Sequence, residues 1–417
     1  MQRLMYAFRQ ALLAPSRNTR TAVVIGRLLG SAFIICFVTG IYSHFIQDPI
    51  PGMVFLTRPI WLYQVSQGIH ITAGILCFPL IFAKLYSVFP RLFQTPPITS
   101  FGNFLERASI TLFVSSSLVE IVIGLLNTFQ WYALFAFPFR QTHFTLSFII
   151  IGSLAIHIAC KLPLITRYWT KKASYDEDGE VKPTGEPVPA VARLPLPDVG
   201  IGYTSRIFAW IDKVPEPKQP KVSRRAFMTT IAATGATVVA LTAGQSFRFL
   251  DFANIFAPRK NNTGPTGLPV NRTAHAAKVL DSAMSPDWKL TVVSGSTTKS
   301  FSRKELEALP QYLVALPIAC VEGWSQMANW KGPRLKDVMR EVGAPQGAGV
   351  RAISLEQGSS YAKTEMEPEF VRDDLTLVAL ELNGEVLDID HGYPARMIAP
   401  ARPGVLQTKW LSRLESI

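Results

Sequence analysis

Histidines in apolar surroundings are the strongest candidates for functional residues in this sequence. Four of the six histidines lie in or at the ends of long apolar runs, namely His44, His70, His143 and His157. Ionisable side chains inside a membrane are costly, so four of them in one bundle indicate a function. The chemistry that fits best is axial ligation of a b-type haem held between facing helices.

The spacing of these histidines predicts which of them share a haem. His143 and His157 are 14 residues apart, which is roughly 21 Å of helical rise and about 40° from the same face. One helix could therefore serve two stacked haems. Counted from the basic residues at the inner ends of the runs, His70 lies roughly 21 Å and His143 roughly 27 Å from the inner face. We expect these two to bracket one outer haem. His44, roughly 25 Å along its helix, and His157, near the inner face, do not match in depth, so a second haem is left open.

One cysteine differs from the other three. Cys36, Cys77 and Cys160 lie inside apolar runs, where a cysteine is most often a small core residue. Cys320 follows a strand-like stretch in "LPIACVEGWSQMANW", in the polar half of the chain. No second cysteine lies in that half, so a disulfide is not expected. A thiolate at this position would be a soft, anionic metal ligand, and the alternative is an inert buried cysteine.

An acidic residue, Glu120, lies in the middle of an apolar run, in "SSSLVEIVIGLL". Two interpretations are open. The residue could handle protons or form part of a quinol site, or it could be a neutral carboxyl bonded to a neighbouring serine or to a haem group.

The runs that carry the histidines belong to a set of five apolar runs, and each has about the 20 residues needed to span a bilayer. They are Leu28–Ile46, Ile60–Ala83, Ala108–Leu134, His143–Cys160 and Ala226–Phe247. Basic residues cluster before the first run and after the second and fourth, which predicts a cytoplasmic N-terminus. The net charge of +12 thus reflects membrane orientation, and nucleic-acid binding is not expected.

A pair of arginines, Arg224 and Arg225, precedes the fifth run in "SRRAF". Such a pair before a mildly apolar stretch is typical of a twin-arginine export signal, which serves cargo already folded in the cytoplasm. The preceding polar, proline-rich residues are expected to form a cytoplasmic linker that returns the chain to the export machinery. No clear A-x-A site follows, so we expect the helix to stay as an anchor. The alternative is a plain fifth helix with chance arginines.

The first half, from about Arg27 to Pro163, resembles the di-haem cytochrome b subunits of formate dehydrogenases and related quinone oxidoreductases. In that family the fourth helix carries two histidines at the spacing found here, and helices one and two supply the partners. The first-helix ligand of those relatives lies near the cytoplasmic end, where this chain reads "GRLLGSAF" without a histidine. The resemblance implies haem b and a quinone or quinol as electron carrier.

The last third of the chain predicts strands in "WKLTVVSG" and "TLVALELNG", and short amphipathic helices in "SRKELEAL" and "RLKDVMREVG". Its blocks "CVEGWS", "LELNGEVL", "HGYPARM" and "KWL" resemble the sulfite oxidase family of molybdopterin enzymes, closest to the periplasmic methionine sulfoxide reductase branch. The resemblance implies that the Cys320 thiolate ligates molybdenum together with a pterin dithiolene.

The same resemblance implies which side chains hold the pterin and its phosphate. They are His391, Arg396 and Lys409, with Asn271 and Arg272 of "LPVNRTA" as weaker candidates. For Arg396 and Lys409 the alternative is surface salt bridging.

The sequence therefore predicts a multidomain protein: an all-α transmembrane four-helix cytochrome b bundle, a fifth anchor helix, and an α+β sulfite oxidase-type molybdopterin domain. The expected segments are a cytoplasmic N-terminus (1–27), the bundle (28–166), a linker (167–222), the signal and fifth helix (223–247), a tether (248–267) and an extracytoplasmic molybdopterin domain (268–417).

The predicted function is electron transfer through haem b, in the cell membrane, between quinol and an external substrate. The sulfite-oxidising branch usually has an arginine shortly after its cysteine, whereas here the next is Arg334. That difference favours reduction of an S- or N-oxide, either a small molecule or an oxidised protein. The expected partners are membrane lipid, quinone or quinol, and the twin-arginine translocation machinery. Two alternatives are open: a sulfite-type dehydrogenase feeding quinone, and a membrane electron conduit with a non-catalytic docking domain.

Overall fold

Five long helices dominate the N-terminal part of the chain. The computed structural model describes residues 16–92, 98–177, 181–182 and 223–417. Within these residues, five helices are long and apolar enough to cross a membrane. They are α1 (Thr19–Gln47), α2 (Leu62–Leu92), α3 (Phe101–Thr128), α4 (Phe139–Arg167) and α5 (Arg224–Thr242). They confirm that the five apolar runs are helical, and they are compatible with a membrane-anchored protein.

Two of these helices end earlier than the sequence predicts. Helix α3 ends at Thr128 instead of Leu134, because Gln130 adopts a positive φ of 59° that no helix accommodates. Tyr132–Leu134 then forms a separate 3-10 turn. Helix α5 ends at Thr242, just before Gly244, so the chain leaves the helix before the predicted end at Phe247.

Parts of three predicted segments lie outside the described residues. They are residues 1–15 of the predicted cytoplasmic N-terminus, residues 93–97 of the predicted bundle, and residues 178–180 and 183–222 of the predicted linker. A single helical turn, Lys171–Ser174, lies at the start of the linker region.

The described residues form two compact units. One comprises the described residues up to Phe37 together with Ala73–Leu125 and Phe135–Val238. Its apolar core includes Ile25 and Phe33 of α1 and the buried Cys77 of α2, among the residues of one cluster. The packing of Cys77 agrees with the interpretation of that cysteine as a core residue.

The second unit combines Val38–Thr72, Leu126–Leu134 and Val239–Ile417. It therefore contains the end of α1, the beginning of α2 and the connection after α3, as well as the C-terminal domain. Buried Ile46, Phe55 and Tyr63 belong to the same core cluster as the C-terminal strands.

The C-terminal domain is built on three sheets. Its strands are β1 (Lys289–Ser294), β2 (Thr297–Ser302), β3 (Tyr312–Ala319), β4 (Ser325–Gly332), β5 (Val350–Ser354), β6 (Lys363–Met366), β7 (Leu377–Ala379), β8 (Glu381–Leu382), β9 (Glu385–Val386), β10 (Arg396–Ile398) and β11 (Leu411–Ser416). The sheet orders are β2-β1-β11-β5-β6, β3-β4-β8-β9 and β10-β7. Strands β1 and β11 pair in parallel, and the other neighbours pair antiparallel.

Short helices connect these strands. They are α6 (Ala274–Ala277), α7 (Leu280–Met284), α8 (Arg303–Ala308), α9 (Leu335–Arg340) and α10 (Pro368–Arg372). Helix α8 begins with a capping box in which Ser302 and Glu305 exchange hydrogen bonds. Helices α8 and α9 and strands β1, β7 and β8 confirm the strand and helix assignments made from the sequence.

The hairpin of β3 and β4 positions Cys320. The strands pair from Tyr312↔Gly332 to Ala319↔Ser325, so the five residues that follow Ala319 form the turn. Gly323 has φ = +98°, which an L side chain tolerates poorly. A Cβ there would also lie 2.9 Å from Ile71 Cγ1 of α2. Only glycine therefore allows this turn to close and to lie against α2.

The predicted tether, residues 248–267, is packed along the domain. It contains two 3-10 turns, Arg248–Ala253 and Pro265–Gly267. Gln326 Nε2 donates to the Gly267 carbonyl at 2.7 Å, and Asn383 Nδ2 donates to the Thr266 carbonyl at 2.9 Å. These bonds hold the end of the segment against the β3–β4 sheet.

Candidate active site

The Cys320 thiol is buried at the end of β3, with only 2% of the residue exposed. Asn271 Nδ2 donates to its Sγ at 2.6 Å, and the backbone N–H of Glu322 donates to it at 3.4 Å. Trp324 Nε1 in turn donates to Asn271 Oδ1 at 2.6 Å, which fixes the orientation of the amide. Two N–H donors directed at one sulfur are the surroundings that suit a thiolate or a metal-bound sulfur.

A carboxyl group that the sequence analysis missed, that of Glu322, lies beside this cysteine. It accepts a short hydrogen bond from the Tyr132 hydroxyl and another from Gln130 Nε2 at 2.5 Å. Arg259 donates to Gln130 Oε1, which fixes the orientation of the Gln130 amide so that its Nε2 is directed at Glu322. Burial raises the pKa of Glu322, and the hydrogen bonds from Tyr132 and Gln130 oppose that rise.

The protonation of the thiol follows from the same surroundings. Burial raises the pKa of Cys320 well above its usual range, and the adjacent Glu322 raises it further. The hydrogen bonds from Asn271 and from the Glu322 backbone lower that pKa but do not outweigh burial. Without a metal, Cys320 is therefore a neutral thiol, and a bound cation is needed to replace its proton.

Tyrosines lie within electrostatic range of the thiol. Tyr63 and Tyr132 both interact electrostatically with Cys320, and Tyr361 interacts with both of those tyrosines. The Tyr63 hydroxyl is hydrogen-bonded to Ser43 Oγ at 3.0 Å, and the Tyr132 hydroxyl donates to Glu322. Neighbouring side chains therefore engage both hydroxyls.

Two cations lie close to Asn271 on the side of the predicted pterin site. Lys409 Nζ donates to the carbonyls of Arg272 at 2.6 Å and Asp390 at 2.8 Å. Arg272 Nε pairs with Glu356 Oε1 at 2.5 Å while its side chain stays half exposed. Burial, followed by the neighbouring Arg396, lowers the pKa of Lys409 to about 7. A phosphate here would restore the charge on Lys409, so Arg272 and Lys409 suit an anionic group.

The other two predicted pterin residues are turned toward the backbone. The Arg396 guanidinium donates to the carbonyls of His391 at 3.0 Å and Gln407 at 3.3 Å and lies over the Trp330 ring. Burial lowers the pKa of Arg396 to about 9. His391 Nε2 lies 3.0 Å from the Pro265 carbonyl, which can only accept, so that nitrogen carries the proton. Through these contacts Arg396 holds the backbone at His391 and Gln407 in place. His391 links the same region to the turn that begins at Pro265.

The histidines of the long helices have individual partners. His70 Nδ1 lies 3.1 Å from Thr39 Oγ1. A Cβ on Gly40 would come within 3.2 Å of the His70 ring, so glycine makes room for that ring. His44 lies in the last turn of α1, with its ring 5.8 Å from that of Phe45.

Glu120 of α3 lies beside a histidine of α4. Its Oε1 is 3.2 Å from His143 Nδ1, a contact that the sequence did not suggest. His157, farther along α4, lies within electrostatic range of Lys84 and Lys161, in agreement with its predicted place near the basic end of the helix.

Comparison with known proteins assigns the last third of the chain to a family. The family model for the oxidoreductase molybdopterin binding domain matches residues 276–417. An uncharacterized oxidoreductase, YuiH of Bacillus subtilis, is 30% identical over 38% of this chain and 77% of its own length. The mitochondrial sulfite oxidase of Drosophila melanogaster is 31% identical over 31% of this chain and 27% of its own length. The sulfite oxidase of Arabidopsis thaliana is 27% identical over 37% of this chain and 47% of its own length.

A solved structure, the sulfane dehydrogenase SoxCD of Paracoccus pantotrophus, is 24% identical over 31% of this chain and 38% of that chain, with a TM-score of 0.29. That score is too low to bear on the fold. The chain spans about a quarter of the Drosophila sulfite oxidase and about half of the Arabidopsis enzyme.

The chain belongs to the oxidoreductases that carry a molybdopterin-binding domain of the sulfite oxidase type. The residues present fit that cofactor: Cys320 offers a single buried sulfur directed by two donors, and Arg272 and Lys409 offer cations beside it. When bound, the molybdenum–pterin group supplies two-electron oxygen-atom transfer.

Proposed function

We propose that this protein is a membrane-bound oxidoreductase that uses electrons from quinol to reduce an S- or N-oxide outside the cytoplasm. The observation that carries the proposal is the buried Cys320 sulfur, held by Asn271 at the end of β3 within the matched domain. Oxygen-atom transfer at a molybdenum group held by Cys320 would consume two electrons, whereas haem b carries one, so the haem would supply them one after the other.

The charge around the thiol favours an oxide over sulfite. Glu322 lies directly beside Cys320, and a carboxylate there would repel a doubly charged anion. Arg334, the first arginine after the cysteine, instead lies over the Tyr312 ring at 3.8 Å and 3.5 Å from Asp374. A neutral oxide carries no net charge, so a carboxylate at this position does not repel it in the same way.

The haem ligands we propose are His70 and His143, on the basis of their depths along their own helices. Two contacts support this assignment. A ligating histidine usually has its second nitrogen bonded to a hydroxyl, carbonyl or carboxylate, which sets the orientation of the ring. Thr39 lies next to Nδ1 of His70, and Glu120 lies next to Nδ1 of His143. Each of these Nδ1 contacts suits ligation of iron through Nε2.

Assays of the purified full-length protein in both directions test the function. We expect reduced quinol analogue to drive reduction of at least one member of a panel of S- and N-oxides, and metal analysis to find molybdenum. Faster reduction of quinone by sulfite than of any oxide by quinol would instead favour the dehydrogenase alternative. Absence of molybdenum with haem intact would favour the conduit alternative.

Export of the C-terminal domain is proposed to depend on Arg224 and Arg225. Replacing both with lysine should leave α1–α4 inserted but strand the C-terminal domain in the cytoplasm, because twin-arginine signals distinguish arginine from lysine. Protease added outside spheroplasts should then no longer cleave that domain. The same charge-conserving replacement at Arg107 and Arg140 is the control and should leave cleavage unchanged. Normal cleavage in the Arg224/Arg225 variant would contradict the proposal.

A further inference from the structure

A cavity of about 650 Å³ that opens widely to solvent lies in the second unit, outside the site described above. Gln64 and Val65 of α2 form one side, and Ser246, Phe247, Arg248 and Phe249 form the other. None of these residues was singled out by the sequence. The volume is within the range of pockets that bind small organic ligands.

Residues that line the cavity are hydrogen-bonded directly to the turn that carries Cys320 and to the strand that follows it. Gln64 Nε2 donates to Ser325 Oγ at 3.0 Å, and Ser246 Oγ donates to the Gly323 carbonyl. The backbone N–H of Ser325 also donates to the Gln245 carbonyl at 2.7 Å. A molecule in the cavity would therefore lie next to the active-site turn.

The lining suits a flat ring with oxygen substituents at both ends. The Phe247 and Phe249 rings are 5.7 Å apart at an interplanar angle of 36°. The Phe247 ring packs against Gly68 of α2, where a Cβ would lie 2.7 Å from Phe247 Cζ, so glycine makes room for the ring. Aromatic faces stack on other flat rings, the Arg248 guanidinium donates hydrogen bonds to an oxygen, and Gln64 Oε1 accepts one from a hydroxyl.

The segment that follows the cavity exposes large apolar side chains. Phe249 is 71% exposed, Phe252 89%, Ile255 64% and Phe256 60%. Four such residues within eight positions are unusual on a soluble surface and are typical of contact with a membrane. A ligand with a long apolar tail would approach the cavity along this segment.

We propose that this cavity binds the ring of a lipid-soluble quinol, with its tail along Phe252 and Phe256. This inference rests on the proposed function and adds the place where the electron donor binds. In the reaction, quinol loses two electrons and two protons to become quinone. The oxide takes up two electrons and two protons and is released as the deoxygenated product and water.

Filling the cavity tests the proposal. Val65→Trp places a large ring among the lining residues, and Val54→Trp is the control because Val54 is 79% exposed and lies outside the lining. We expect Val65→Trp to raise KM for quinol about tenfold or more, as removal of a binding contact does. Its quinol-driven turnover should fall relative to turnover driven by reduced viologen. The control should behave as the parent protein does.

Two further measurements guard against misfolding of the tryptophan variant. Arg248→Gln alters an exposed side chain and should also raise KM for quinol. Photolysis of an azidoquinone with the full-length parent protein should label peptides containing Phe247 or Phe249, and excess quinol should prevent the labelling. Mass spectrometry locates the label without relying on turnover.

The outcomes separate this inference from the proposed function. Quinol-driven turnover in the parent protein, with labelling elsewhere and no change in either variant, would overturn the cavity assignment alone. Absence of quinol-driven turnover in the parent protein would overturn both. Phospholipid that co-purifies, is lost in Val65→Trp and is not displaced by quinone would identify the cavity as a lipid site and also overturn the inference.

Discussion

Replacing Cys320 with serine is expected to abolish oxide-dependent turnover while leaving the haem reducible by quinol. A serine hydroxyl is a harder and far less acidic donor than a thiol, so it cannot replace a soft anionic sulfur on the metal. Turnover should fall by at least about a thousandfold, the scale seen when a group essential to the chemistry is removed. Arg272 and Lys409 are untouched, so the pterin should be retained.

The structure indicates that this variant will fold. Asn271 Nδ2 and the Glu322 backbone N–H, which now donate to Sγ, can donate to a serine oxygen in the same place. The measurement is stopped-flow spectroscopy of the haem, first with quinol and then with oxide. We expect normal reduction followed by no reoxidation.

A matched control is Cys160→Ser, which makes the same change in α4, a helix that is not part of the C-terminal domain. It should reoxidise normally. Loss of haem reduction in Cys320→Ser would point to misfolding, and full oxide-dependent reoxidation would show that Cys320 is not the metal's ligand.

The position of Cys320 was predictable because it depends on local features. An apolar strand, a turn containing Gly323 and a second strand are neighbours in sequence, and the β3–β4 register brings them together directly. The surroundings of the thiol were not predictable in the same way. Tyr132 and Gln130 reach Glu322 across 190 and 192 residues of sequence. No local pattern marks the connection between α3 and α4 as part of an active site.

The same distinction applies to the helices. The length of the apolar runs predicted the five helices, and helical rise predicted the depth of each histidine along its own helix. Helix ends depend on single backbone conformations, such as the positive φ of Gln130, and these shortened α3 relative to the prediction. The contact between Glu120 and His143 depends on how α3 and α4 pack, so the sequence suggested the residue but not its partner.

Replacing His70 with alanine is expected to remove the main low-spin b-type haem spectrum. The side chain lies on α2, its ring is oriented by Thr39, and Gly40 leaves space beside it. Alanine has no nitrogen to offer the iron, and a haem with one protein ligand is held more weakly and changes spin state. We expect most of the haem to be lost on purification, as measured by the haem-to-protein ratio and by reduced-minus-oxidised spectra.

Two further variants decide how many haems are present. His143→Ala should reproduce the loss, because we propose that His143 is the second ligand of the same haem. His157→Ala makes the same chemical change on the same helix, and it should leave the main spectrum intact if there is one haem. Loss of a separate, second spectral component in His157→Ala would establish two haems and require a different partner for that residue. An unchanged spectrum in His70→Ala would show that the depth argument paired the wrong histidines, since that argument depends on α2 presenting His70 to the iron.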